Sequence, residues 1–138
     1  MISSPRTAVC FGVAALGLVC SPGYANETIK VTLLNNAIQL DVSRVKAGTV
    51  TFEVSNAPDT AQTHEMVVLK TDLAADKLPV KNGQVPESNF KKIGEAEDLA
   101  PGKNRRLTLK LTPGRYVLIC NKAGHYAKGM HTSFVVTP

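Results

Sequence analysis

The sequence predicts an all-β domain, an antiparallel β-sandwich or barrel, on three observations. From Glu27 onward apolar residues recur mostly with period two, the pattern of strands that bury one face. Turn residues punctuate these runs at Asn35-Asn36, Ala47-Gly48, Asn82-Gly83, Ala100-Pro101-Gly102 and Thr112-Pro113-Gly114, where glycine, proline and asparagine supply the backbone angles a turn needs. The 138 residues are one domain's worth, with room for seven or eight short strands around a single core.

The first segment is set apart from that domain. Arg6 precedes the apolar run Ala8 to Val19, followed by Ser21-Pro22-Gly23 and the small residue Ala25. This is the layout of a secretory signal peptide, and the run is shorter than the roughly 20 residues a spanning helix needs. Residues 1–25 are expected to be cleaved, leaving a domain over 26–138 in the periplasm with no membrane insertion. Lipid attachment at Cys20 is the alternative, disfavoured because Val19 is not the small residue expected before a modified cysteine. Cleavage removes Cys10 and Cys20 and leaves Cys120 as the single thiol. No disulfide can then form within the chain, and an unpaired cysteine in an oxidising compartment calls for an occupant such as a metal, unless it is an inert core thiol.

The strands follow in order. Ile29, Val31 and Leu33 alternate with Lys30 and Thr32, and Ile38, Leu40 and Val42 with Gln39, Asp41 and Ser43. Across Thr49 to Asn56, Val50, Phe52 and Val54 face inward. Asn56-Ala57-Pro58-Asp59 breaks that strand, and His64 then opens a run whose second half, Met66 to Leu69, is continuously apolar, as in a strand covered on both faces. Residues 71–92 form an excursion, in which Leu73 to Leu78 is read as a short helix stopped by Pro79 and Asn82-Gly83 as a tight turn. Ile93 to Leu99, Arg106 to Leu111, Arg115 to Cys120 and Thr132 to Val136 complete the set.

Charge narrows the function. The chain carries 16 basic and 11 acidic residues; without Arg6 the mature balance is fifteen against eleven, or +4. The positive charge is dispersed and aromatics are few, which excludes the concentrated basic footprint of a nucleic-acid binder. A mild positive charge suits an acidic protein partner.

Chemistry concentrates between Tyr116 and Phe134, where a thiol, an imidazole and a thioether, Cys120, His125 and Met130, share one loop between two apolar runs. Gly124 and Gly129 each cost about 1 kcal/mol in a helix interior, so the spacing reads as a loop folded back on itself. Soft sulfur ligands with imidazole suit copper, and the set lacks only a second imidazole to match an electron-transfer site. His64, at a strand start, is positioned to supply it. His131 points to the opposite face from Met130 if both lie on a strand, and Met66 reads as core filler. Tyr126, Ala127 and the loop glycines read equally as a docking patch or as filler, with Lys122 and Lys128 flanking the loop.

His64 together with Cys120-x4-His125-x4-Met130, on a small exported chain of alternating strands, resembles the cupredoxins, the blue copper proteins that include plastocyanin, azurin and rusticyanin. The loop spacing is similar to that of azurin and rusticyanin. The resemblance implies a Greek-key sandwich and one copper ion cycling between Cu(I) and Cu(II). It also implies equatorial ligands His64, Cys120 and His125, a weak axial Met130, and a ring edge of His125 at the surface as the electron exit. It departs at Glu65, where an asparagine is usual, and at Thr63, where azurin has glycine, so the surroundings of the ligands must be built differently. The function implied is electron transfer by a monomer, without enzymatic turnover, between partners such as a cytochrome c or a terminal copper or haem enzyme. Copper trafficking, resistance or delivery to a copper enzyme is the alternative.

Overall fold

A computed structural model describes residues 25–138. The expected signal peptide over residues 1–25 therefore falls almost entirely outside the described residues. Among those described, no helix is long and apolar enough to cross a membrane.

Among the described residues nine strands form two sheets. They are β1 (Ala25–Leu33), β2 (Ile38–Leu40), β3 (Arg44–Lys46), β4 (Gly48–Asn56), β5 (His64–Lys70), β6 (Lys91–Leu99), β7 (Asn104–Leu111), β8 (Gly114–Ile119) and β9 (His131–Thr137). One sheet has the order β2-β1-β4-β7 and the other β3-β9-β8-β5-β6. The sandwich is as expected, but its sheets are mixed rather than wholly antiparallel: β1 pairs parallel with β4, and β3 pairs parallel with β9. The reason is that β2 and β3 are short spurs from which the chain crosses between sheets before returning beside β1. Arg44-Val45-Lys46 is too short to show an alternation of its own and was not anticipated as a strand.

Alternation decides which side chains meet between the sheets. In β4 each second residue from Gly48 to Asn56 is buried, so Val50, Phe52 and Val54 join Ile29, Val31 and Leu33 of β1 in the main core. Phe52 meets Phe134 of the facing sheet edge-to-face, ring centres 5.4 Å apart, an arrangement worth about 1 kcal/mol beyond the area it buries.

A second apolar cluster lies on the outer face of the five-stranded sheet, where Val67 and Leu69 of β5 and Val117 and Ile119 of β8 meet Leu78, Val85 and Tyr126. This explains the continuous apolar runs of β5 and β8, since both faces of these strands are covered. The cover is the 71–90 excursion. Leu73 to Leu78 does not form the expected helix; the segment makes turns, with the Lys77 N–H donating to Ala74 O, and a single 3-10 turn at Glu87–Asn89. Holding Leu78 and Val85 over the sheet takes an irregular path that a regular helix cannot follow. The Asn82-Gly83 turn is present, both residues at positive φ (53° and 79°), as a tight hairpin turn requires.

Candidate metal centre

Strand direction brings the four predicted residues to one end of the sandwich. Cys120 follows the last residue of β8, and Met130 precedes the first of β9. Because Ile119 pairs with His131 and the Cys120 N–H donates to Met130 O at 3.0 Å, the two sulfur residues face each other across the mouth of a closed loop. Within it the His125 N–H donates to Lys122 O (2.9 Å) and the Met130 N–H to His125 O (3.2 Å), which folds His125 back toward Cys120. Gly129 ends the short turn Tyr126–Lys128 at φ 107°, where a Cβ would stand 2.7 Å from Asn36 O.

The Cys120 Sγ lies 3.4 Å from His125 Nδ1. The His64 ring packs edge-on against that of His125, with centroids 5.1 Å apart and an interplanar angle of 74°. Cys120, His64 and Met130 are fully buried, whereas His125 retains 7% exposure, so of these four residues it is His125 that reaches the surface of the described residues. Among the described residues no three His, Cys, Asp or Glu side chains close into a ready-made cage; the contacts are pairwise, and His125 is common to both.

Asn56 orders His64. Its amide nitrogen donates to Gln62 O (2.9 Å) and to Leu99 O (2.8 Å), so both amide hydrogens are used and Oδ1 is left as an acceptor. That oxygen takes the Thr60 hydroxyl at 2.7 Å and lies 2.9 Å from His64 Nδ1, which must then be the protonated ring nitrogen. Nε2 carries the lone pair, and it is buried without a hydrogen-bond partner. A buried lone pair with no donor costs about 1–3 kcal/mol unless something binds it. Sequence reasoning took Asn56 only as a strand breaker; an asparagine closing a strand whose alternation turns it inward was the signal.

Burial sets the protonation of the group. His64 is held below its ordinary pKa, chiefly by burial and then by His125; His125 is lowered by burial and by the charges of Lys128 and Lys122. Both shifts favour the neutral ring, the form that ligates. Burial pushes the Cys120 thiol up, partly opposed by the backbone N–H of Glu65, which points at Sγ from 3.5 Å. Glu65 therefore braces the cysteine through its main chain, while its carboxylate, raised chiefly by burial, lies 3.6 Å from Lys122 Nζ. Lys122 also pairs with Asp98, so it is a tie between loop and strands rather than a free flanking charge. Tyr126 is neither patch nor filler: it is buried, and its hydroxyl accepts from the Leu78 N–H (3.0 Å) and donates to Ala75 O (2.7 Å). His131 is half-buried against the Tyr126 ring, centroids 4.9 Å apart. Met66 is core, as expected.

A buried thiol, two neutral imidazoles and a thioether form a donor set for a soft or borderline ion, with no carboxylate in it to favour a hard one. The comparisons agree with the fold that carries it. Residues 7–133 match the family model of the cupredoxin-like domain, and the chain belongs to that family. Among solved structures, the reduced auracyanin of Roseiflexus castenholzii superposes with a TM-score of 0.59 at 23% identity, covering 84% of this chain and all of that one. Auracyanin A of Chloroflexus aurantiacus, described as a blue copper protein, gives 0.58 at 24% identity over 82% of this chain and all of that one. Rusticyanin from Thiobacillus ferrooxidans gives 0.53 at 16% identity, over 80% of this chain and 76% of that one. No curated protein sequence matches this one.

Proposed function

We propose that this protein is an exported single-copper electron carrier of the cupredoxin family, with His64, Cys120, His125 and Met130 as ligands. The observation that carries the reading is the convergence of the one described cysteine on His125, beside a buried His64 whose Nε2 has no other partner. Copper bound there would alternate between Cu(I) and Cu(II), so that one electron is gained and lost.

The residues of the chain supply the rest. Cys120 gives up its proton on binding and is steadied by the Glu65 N–H. His64 is held by Asn56, and Met130 is buried next to Cys120, whose N–H its carbonyl accepts. His125, buried but with 7% of its surface still accessible, offers the path to a partner. Cleavage of residues 1–25, a periplasmic location, a monomeric state and redox partners such as a cytochrome c belong to the same proposal. The alternative, copper trafficking or delivery, would use the same side chains, but the sequence has no Met-rich or His-rich tract to support it.

The test is the visible spectrum of the copper-loaded protein and its redox cycling with a cytochrome c. An intense thiolate band with fast reversible exchange is expected. A colourless protein that binds only Cu(I) and surrenders it to a chelator would overturn electron transfer. Cys120→Ser abolishes the band, whereas Met130→Leu keeps it and changes the reduction potential; colour surviving in Cys120→Ser refutes the ligand assignment.

A further inference from the structure

The chain crosses from Lys70 to Lys91 without a strand, a long irregular connection of the kind compact domains keep for a purpose. Its apolar side covers Val67, Leu69, Val117 and Ile119, but apolar cover needs no particular polar contacts. The polar contacts are nonetheless specific: apart from the Thr71 N–H to Arg115 O and the Glu87–Lys92 ion pair, which tie its two ends to β8 and β6, those between Ala75 and Glu87 reach the ligand loop.

Asn121 imitates a strand residue toward the excursion: its Oδ1 accepts the Val85 N–H (2.7 Å) and its amide nitrogen donates to Val85 O (2.9 Å). The same nitrogen donates to a Glu87 carboxylate oxygen at 2.8 Å, and Gln84 donates to the Asn121 carbonyl at 2.8 Å. The Gly124 N–H donates to Gly83 O (2.8 Å), where the two backbones come so close that a Cβ on Gly83 would lie 3.3 Å from Gly124 N. Tyr126 then takes the Leu78 N–H and gives its own hydroxyl proton to Ala75 O. The two side chains gripped, Asn121 and Tyr126, are each the residue directly after a proposed ligand, Cys120 and His125.

We propose that residues 71–90 act as a positioning strap that fixes the spacing of Cys120 and His125 before any metal is bound, with Asn121 and Tyr126 as its positioning residues. The inference rests on the copper-centre reading for its purpose, but not for its mechanics. Both gripped side chains are buried and hydrogen-bonded on donor and acceptor sides, and releasing either would orphan buried backbone groups. The loop is thereby held in one arrangement whatever the charge of the ion, and less rearrangement accompanies gain or loss of an electron. Such support from beyond the ligands sets geometry and affinity at metal sites.

The test compares the wild type with Asn121→Ala and Tyr126→Phe, metal-free and copper-loaded. In the metal-free wild type, amide exchange at Gly124, His125 and Met130 is expected to be slowed well below that of an unstructured chain. Asn121→Ala should speed it by about tenfold or more, as the loss of one or two hydrogen bonds implies, while Phe52 and Val54 in β4 stay protected. Tyr126→Phe, which alters no ring packing, should give a smaller change of the same sign. In the copper-loaded variants the thiolate band should shift or broaden and the reduction potential should move. Loop amides already unprotected in the metal-free wild type would overturn the strap, as would unchanged loop exchange in both variants or a rise spread evenly over both sheets. A wild type that shows no thiolate band refutes the copper reading instead, and leaves the exchange result standing.

Discussion

Asn56 spends each of its polar atoms: two carbonyls, a hydroxyl and an imidazole are satisfied by one amide. Asn56→Ala takes the donor from the buried Leu99 carbonyl and the part-buried Gln62 carbonyl and the acceptor from His64 Nδ1, while the Thr60 hydroxyl keeps Ala57 O. The expected loss of stability is about 2–4 kcal/mol, read from the urea midpoint, together with weaker copper binding because the His64 ring is no longer oriented. Unchanged copper affinity in a folded variant would remove Asn56 from the site. At this scale the proposed ligands were legible, because Cys120, His125 and Met130 announce themselves by residue type and short spacing, and His64 by its place at a strand start. Asn56 and Lys122 were not. Asn56 has three partners within eight residues, Thr60, Gln62 and His64, but these come together only through the loop's fold. Leu99, and the Lys122 partners Glu65 and Asp98, lie 24 to 57 residues away and become neighbours only when β5 and β6 pair beside β8.

Among the elements, the ligand loop depends on one backbone position. Gly129 adopts φ 107°, which L-residues rarely take, and any Cβ there meets the backbone oxygen of Asn36, which cannot move aside as a flexible side chain would. Gly129→Ala should destabilise the protein by about 2–4 kcal/mol, lowering the thermal midpoint, and shift the reduction potential by displacing Met130. An unaltered potential would mean that Met130 does not depend on the turn before it. Strands were legible wherever one face is wet, as in β4, β7 and β9, because alternation records which face is buried. The excursion was illegible because its conformation answers to the outer faces of β5 and β8 and to the ligand loop, not to its own periodicity. A helix-like stretch at Leu73 to Leu78 accordingly yields to turns.

The whole molecule presents mild positive charge to its surroundings, and Lys128 stands exposed on the loop that carries His125. With an acidic redox protein as partner, the second-order rate of electron exchange is expected to fall as salt rises. Lys128→Glu should lower it several-fold at low ionic strength, since a rim charge acts chiefly on encounter, even though this one is also felt by His125. Stopped-flow rates across a salt series check this; a rate indifferent to both salt and the substitution would place docking elsewhere.

The strand directions also fix which way the molecule faces. In β9 the chain leaves His131, beside the ligand loop, and runs to Thr137, which takes the Ala47 N–H at the opposite end, about 20 Å away at the rise of a strand. Ala25 begins β1 opposite Gly48, at that same far end. A linker attached beyond Pro138 would therefore seat the protein on an electrode or bead upside down with respect to its metal end, leaving His125 turned to the solution and free to meet a diffusing partner. A wired device that needs direct contact calls for an attachment point on the opposite pole, in the turns around Asn36 or Ala127.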